Sequence, residues 1–124
     1  GVAEIEGVAR NRDKAAALLA IGAQLGVDIR WLPLGTRAAA LDVAVSTLPA
    51  EVGAEHAESI AGVAVLLDAL YDPWPTPLAT AVEAAGGTVI SGLEMLLHQA
   101  YSQVEQFTGM AAPKEVMRRV VQAP

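Results

Sequence analysis

The chain has 124 residues, 53% of them hydrophobic and 18% charged, with no cysteine and a formal net charge of −6. That length suits one domain of ordinary size, and so apolar a composition excludes intrinsic disorder. The acidic balance argues against a broad basic surface for DNA or RNA, the lack of cysteine removes disulfides, thiolate metal sites and a cysteine nucleophile, and no apolar run reaches the ~18–20 residues of a membrane span.

Short β-branched runs alternate with longer alanine-rich stretches, the rhythm of βα units around a parallel sheet. Residues 2–9 read as a first strand, although Glu4, Glu6 and Gly7 suit it poorly to burial on both faces. A helix follows over 11–25, with Leu18, Leu19, Gln24 and Leu25 spaced over its turns, Asn11 as N-cap and Gly26 as the stop. Residues 27–34 form a second strand, 37–41 a short helical turn, 43–47 a third strand and 51–60 a helix. The continuous apolar run 63–67 has the character of a fully buried parallel strand. Thr76 and Pro77 start the next helix, as cap and first-turn proline, and it stops at Gly86 and Gly87. A short strand at 88–90, a long helix over 93–107 ended by Gly109, and a last helix over 113–122 complete the chain.

Five strands and six helices in this order point to an α/β fold, a partial Rossmann-like doubly wound parallel sheet with carboxyl-terminal helices. The first strand and the glycine-rich turn of such a domain are missing. No GxGxxG-type run occurs, and Gly86-Gly87 stands between a helix and a strand, the wrong side for a phosphate turn. In the order 3-2-1-4-5-6 the absent strand is the central one, flanked by 2–9 and 43–47. Two open edges are therefore expected, closed by a longer polypeptide or by strand from another copy in a homo-oligomer. With no secretory segment at its start, the chain is expected in the cytoplasm.

Four stretches are candidate sites, each with a plain structural alternative. Ala9-Arg10-Asn11-Arg12-Asp13-Lys14 follows the first strand, where a dinucleotide fold faces the adenosine ribose. Arginine there suits a 2′-phosphate through its planar fork of donors; the alternative is a solvated helix start, against which three cations oppose the macrodipole unless an anion binds. Ser46 and Thr47 end a buried strand, either lining a flat cofactor or making a polar turn. Between Asp68 and Leu78, three prolines stiffen a loop that carries Tyr71. Asp68 is expected to be nearly buried and to bond the loop or its amides, and Asp72 supplies no metal pair with it, since no histidine or third carboxylate follows at ligand spacing. Gly92 opens a helix where backbone comes close to something, and Met95 and Gln99, four apart, share a face. That pair either lines a flat ring and a polyhydroxy substrate or is core filler and an exposed polar residue. His98 reads as structural, pointing elsewhere on the helix, and His56 as solvated.

The run Asp68-x-x-Tyr71-x-Pro73-x-x-Thr76-Pro77-Leu78, followed by Gly92-Leu93-x-Met95-Leu96-x-x-Gln99, resembles shikimate dehydrogenase of the actinobacterial type, as do Tyr-Asp-Pro-Trp-Pro-Thr-Pro-Leu and Gln-Val-Glu-Gln-Phe-Thr-Gly. The resemblance implies reversible NADP-dependent reduction of 3-dehydroshikimate to shikimate, towards aromatic amino acids. It places Ala9, Arg10, Asn11 and Lys14 at the 2′-phosphate, although family members often carry Asn-Arg-Thr where Ala9, Arg10 and Asn11 stand. It places Ser46, Thr47 and Ala69 along the nicotinamide end, Gly92 and Met95 against the nicotinamide, and Tyr71 and Gln99 on the substrate. The family's catalytic lysine and aspartate belong to an amino-terminal substrate domain, so residues 1–124 are expected to be a partial NADP-binding domain with carboxyl-terminal helices, without a catalytic residue and inactive alone. A relative that also oxidises quinate with NAD, or a non-catalytic nucleotide- or partner-binding module, is the alternative.

Overall fold

A computed structural model of the chain describes residues 2–37 and 41–121. They belong to two compact units, Gly1–Ala38 and Ala39–Pro124. The helical turn expected over 37–41 falls on 38–40, outside the described residues.

In the first unit, β1 (Glu4–Ala9) and β2 (Asp28–Pro33) pair in parallel and α1 (Arg12–Leu25) connects them. Asn11 caps α1 as its sequence implies, its side-chain oxygen accepting from the Asp13 amide at 2.8 Å. Gly26 ends the helix at φ 68°, a left-handed conformation open to a residue without Cβ. Ala15 and Gly22 are the buried residues of the helix, with Leu19 half-buried between them on the same face, whereas Leu18 and Leu25 are exposed. Small residues win that face because α1 lies tightly on β2: a Cβ on Gly22 would meet Ile29 Cγ1 at 2.5 Å and the Val27 carbonyl at 2.9 Å. The two acids of β1 have a partner across the ladder. Glu6 stands opposite Arg30 in register, and the Arg30 guanidinium reaches Glu6 at 2.6 Å and Glu4 at 2.7 Å. Its hydrogen bond to Glu6, then the charge of Glu4, hold that guanidinium protonated beyond its ordinary range.

In the second unit, β3 (Val43–Ser46), β4 (Val65–Asp68) and β5 (Thr88–Ser91) form a parallel sheet in that order. The described strands thus make two sheets, β1-β2 in the first unit and β3-β4-β5 in the second, each parallel. Helices α2 (Ala50–Ile60), α3 (Pro77–Ala84), α4 (Gly92–Thr108) and α5 (Lys114–Val121) complete the unit. Leu66, Leu78, Ala79 and Val82 are fully buried and form its core. The run 63–67 is not the doubly buried strand its composition implies. Val63 belongs to the preceding turn, its amide donating to the Ile60 carbonyl, and the strand begins at Val65. Within it Leu66 and Asp68 are buried while Val65 and Leu67 are half-buried. The alternation follows from coverage, because on the neighbouring strand Val45 remains 68% exposed. His56 is half-buried within α2, not solvated. Among the described residues no helix is long and apolar enough to cross a membrane.

Candidate functional site at the strand ends

In the first unit, the turn from β1 into α1 presents cations. Arg10, Arg12 and Lys14 are all exposed, and among the described residues none of them is in an ion pair. Asp13 is the acid of the first helical turn, too few to balance them. The backbone beneath is fixed from an unexpected direction, since Trp31 Nε1 on β2 donates to the Ala9 carbonyl at 3.1 Å. An indole N–H near burial needs an acceptor, and here the acceptor is the last residue of β1.

In the second unit, the sheet register sets Ser46, Asp68 and Ser91 side by side at the carboxyl ends of three adjacent strands. Each carries a polar side chain that turns the chain. Ser46 Oγ accepts from the Leu48 amide at 3.3 Å, Asp68 Oδ1 from the Leu70 amide at 3.3 Å, and Ser91 Oγ from the Glu94 amide as N-cap of α4. Asp68 is 1% exposed, buried as expected, and its other oxygen accepts a 2.6 Å bond from Thr76 Oγ1. Thr76, equally buried, in turn accepts from the Ala79 amide at 3.0 Å and so caps α3. One carboxyl group therefore joins the end of β4 to both ends of the proline loop. Replacing Thr76 by valine should cost about 2–4 kcal/mol in urea unfolding, the sum of a strong buried bond and an N-cap, with Thr76→Ser recovering most of it.

Gly92 is the other fixed point. Its amide donates to the Leu70 carbonyl at 3.0 Å, and a Cβ there would overlap the Ala69 carbonyl oxygen and lie 2.5 Å from its carbon. The close approach inferred from the glycine is thus to the chain's own β4 end, which draws the first turn of α4 against Ala69. The Ala69 amide meanwhile donates to the Ser46 carbonyl at 2.9 Å. Ser46, Ala69 and Gly92 are therefore linked through backbone, and Thr47 is exposed beside them.

Beyond this turn, α4 and the sheet enclose an open hollow of about 720 Å³. Met95 and Gln99 line it together, as their four-residue spacing implies, with Leu67, Val89 and Ile90 as its sheet side. Met95 is half-buried there and Gln99 is exposed. Glu94, His98 and Ser102 line the same hollow, which corrects the reading of His98 as pointing elsewhere. On a helix, positions 94, 95, 98, 99 and 102 span one broad face. The His98 ring also meets Tyr101 edge-on, with centroids 5.4 Å apart. Tyr71 stands apart from this lining, 51% exposed on the proline loop. Glu94 and Trp31 went unmarked in the sequence because their partners, Arg118 and the Ala9 carbonyl, lie 24 and 22 residues away along the chain.

The family profile described as "Shikimate 5'-dehydrogenase C-terminal domain" matches residues 92–122. The crystal structure of Mycobacterium tuberculosis shikimate dehydrogenase is 57% identical and superposes with a TM-score of 0.90, over 100% of this chain and 48% of that one. This chain matches the carboxyl-terminal half of the shikimate dehydrogenase family. A shikimate 5-dehydrogenase from Mycobacterium fortuitum is similar at 54% identity and TM-score 0.90, over 95% of this chain and 46% of that one. The shikimate dehydrogenase (NADP(+)) of Chlorobium phaeobacteroides is 37% identical over 95 residues, 77% of this chain and 30% of that protein. The chain thus spans less than half the length of these shikimate dehydrogenases, and its two-sheet arrangement is the corresponding part of a Rossmann-like fold.

Proposed function

We propose that this chain is the NADP-binding part of a shikimate dehydrogenase, which reversibly reduces 3-dehydroshikimate to shikimate in the cytoplasm. The observation that carries the reading is the sharing of one hollow by Met95 and Gln99, the residues that the resemblance assigns to the nicotinamide and to the substrate. NADP, the cofactor in the printed name of the Chlorobium relative, supplies or takes the hydride that interconverts a carbonyl and a secondary alcohol.

The residues present suit both ends of that cofactor. The exposed cations Arg10 and Lys14, with Asn11 between them, offer charged donors to a 2′-phosphate. Ser46, Thr47, Ala69 and Gly92 are small, which lets a flat ring approach backbone, and the thioether of Met95 offers it a soft apolar contact. Gln99 and Tyr71 bring an amide and a phenol, suited to hydroxyl and carboxylate groups of the substrate. No side chain here is assigned the carbonyl proton. The lysine and aspartate that the family uses belong to an amino-terminal substrate domain, the partner this reading requires on the same polypeptide.

The test is substrate kinetics in the full-length protein. Tyr71→Phe and Gln99→Ala should each raise the KM for shikimate by about 5- to 100-fold, the cost of a polar group left unpaired in a closed site. The affinity for NADP should stay within about twofold. Loss of NADP affinity with an unchanged KM for shikimate would remove the residue from the substrate site.

A further inference from the structure

The helix α5 has no buried residue, yet two polar contacts tie it to α4 in antiparallel sense. Lys114 lies over the Tyr101 ring, 5.5 Å from its centroid, and Arg118 donates to Glu94 at 2.6 Å one turn further along α5. Glu94 is in the first turn of α4, between the Ser91 cap and Met95, and it lines the hollow that Met95 and Gln99 share. A carboxylate in that position is not neutral towards the cofactor. Oxidised nicotinamide carries a positive charge and reduced nicotinamide does not, so an unopposed anion at the rim favours the oxidised form. Arg118 supplies the opposing charge, from a helix that otherwise takes no part in the hollow.

Resting on the reading that Met95 meets the nicotinamide, we propose that Arg118 is a positioning and charge-balancing residue: it neutralises Glu94 so that the site does not hold NADP+ at the expense of NADPH. The hydrogen bond to Glu94, opposed by partial desolvation, also keeps the Arg118 guanidinium charged beyond its ordinary range. The pair is half-exposed, so its effect on stability is small. Its effect on a charge difference within the hollow is direct.

Affinities for NADP+ and NADPH, measured separately by calorimetry on the full-length protein at one pH and ionic strength, give the ratio Kd(NADP+)/Kd(NADPH). Arg118→Gln should lower this ratio by about three- to tenfold, the scale of one uncompensated charge at partly screened range. Glu94→Gln should raise it, the double variant should return it to the parent value, and Arg118→Lys should leave it unchanged. Equal weakening of both cofactors in Arg118→Gln, with an unchanged ratio, would reduce the contact to a structural tie and overturn the inference. A parent protein that binds neither cofactor would instead overturn the NADP reading, and the inference with it.

Discussion

Gly92→Ala should destabilise the second unit by about 3 kcal/mol or more and strip the site of cofactor affinity. The added Cβ would collide with the Ala69 carbonyl and lie 3.0 Å from that of Leu70. Both obstacles are backbone at the end of β4, so no side-chain rotation relieves them. Overpacking of this kind usually costs ~1–3 kcal/mol when neighbours can yield, and these neighbours are fixed. The Ala69 amide is bonded to Ser46, and the Asp68–Thr76 bond holds the loop that follows. The helix must therefore move away from the sheet, taking Glu94 and Met95 with it. Urea unfolding should show the loss, and Gly62→Ala, where a Cβ would meet nothing within 4 Å, serves as the neutral control. Similar midpoints for the two variants would mean that α4 is free to shift and that its first turn is not held in place.

The contrast between these two glycines shows what is legible in sequence. Features decided by neighbours one turn away are legible: Asn11 and Thr76 cap helices, and Gly26 and Gly109 end them. The burial of Asp68 is legible too, because a carboxyl group at the end of an apolar run beside a rigid loop needs donors. Which of its residues α1 buries most deeply is not, since leucine spacing marks hydrophobicity while close approach to β2 selects Ala15 and Gly22, leaving Leu19 half-buried on that face and Leu18 and Leu25 exposed. The start of β4 is shifted for a similar reason. Val63 is as apolar as a strand residue, and only its bond to Ile60 places it in a turn. The site divides in the same way. Met95 and Gln99 are paired by helix periodicity alone, whereas Glu94 gains its meaning from Arg118, 24 residues later.

Arg10→Ala should weaken NADPH binding by about 10- to 100-fold in the full-length protein while leaving NADH within about twofold. The estimate follows from charged hydrogen bonds, worth ~1.5–3 kcal/mol when a phosphate accepts them. The geometry around the turn favours a large share for Arg10. The Asn11 side-chain oxygen is committed to the Asp13 amide, so only its NH2 group remains for a phosphate. Ala9 contributes backbone alone, and its carbonyl is already bonded to Trp31. On the proposed reading, the departures from Asn-Arg-Thr at Ala9 and Asn11 leave Arg10, with Lys14 behind it, as the donors expected to distinguish a 2′-phosphate from a 2′-hydroxyl. The folded chain gains nothing by holding cations at the start of α1, where the helix dipole already presents positive charge. Removing Arg10 should accordingly leave the unfolding midpoint unchanged or slightly higher, which separates a binding effect from a folding one. Isothermal titration of both cofactors against parent and variant decides the matter, and equal losses for NADPH and NADH would place Arg10 outside the 2′-phosphate site.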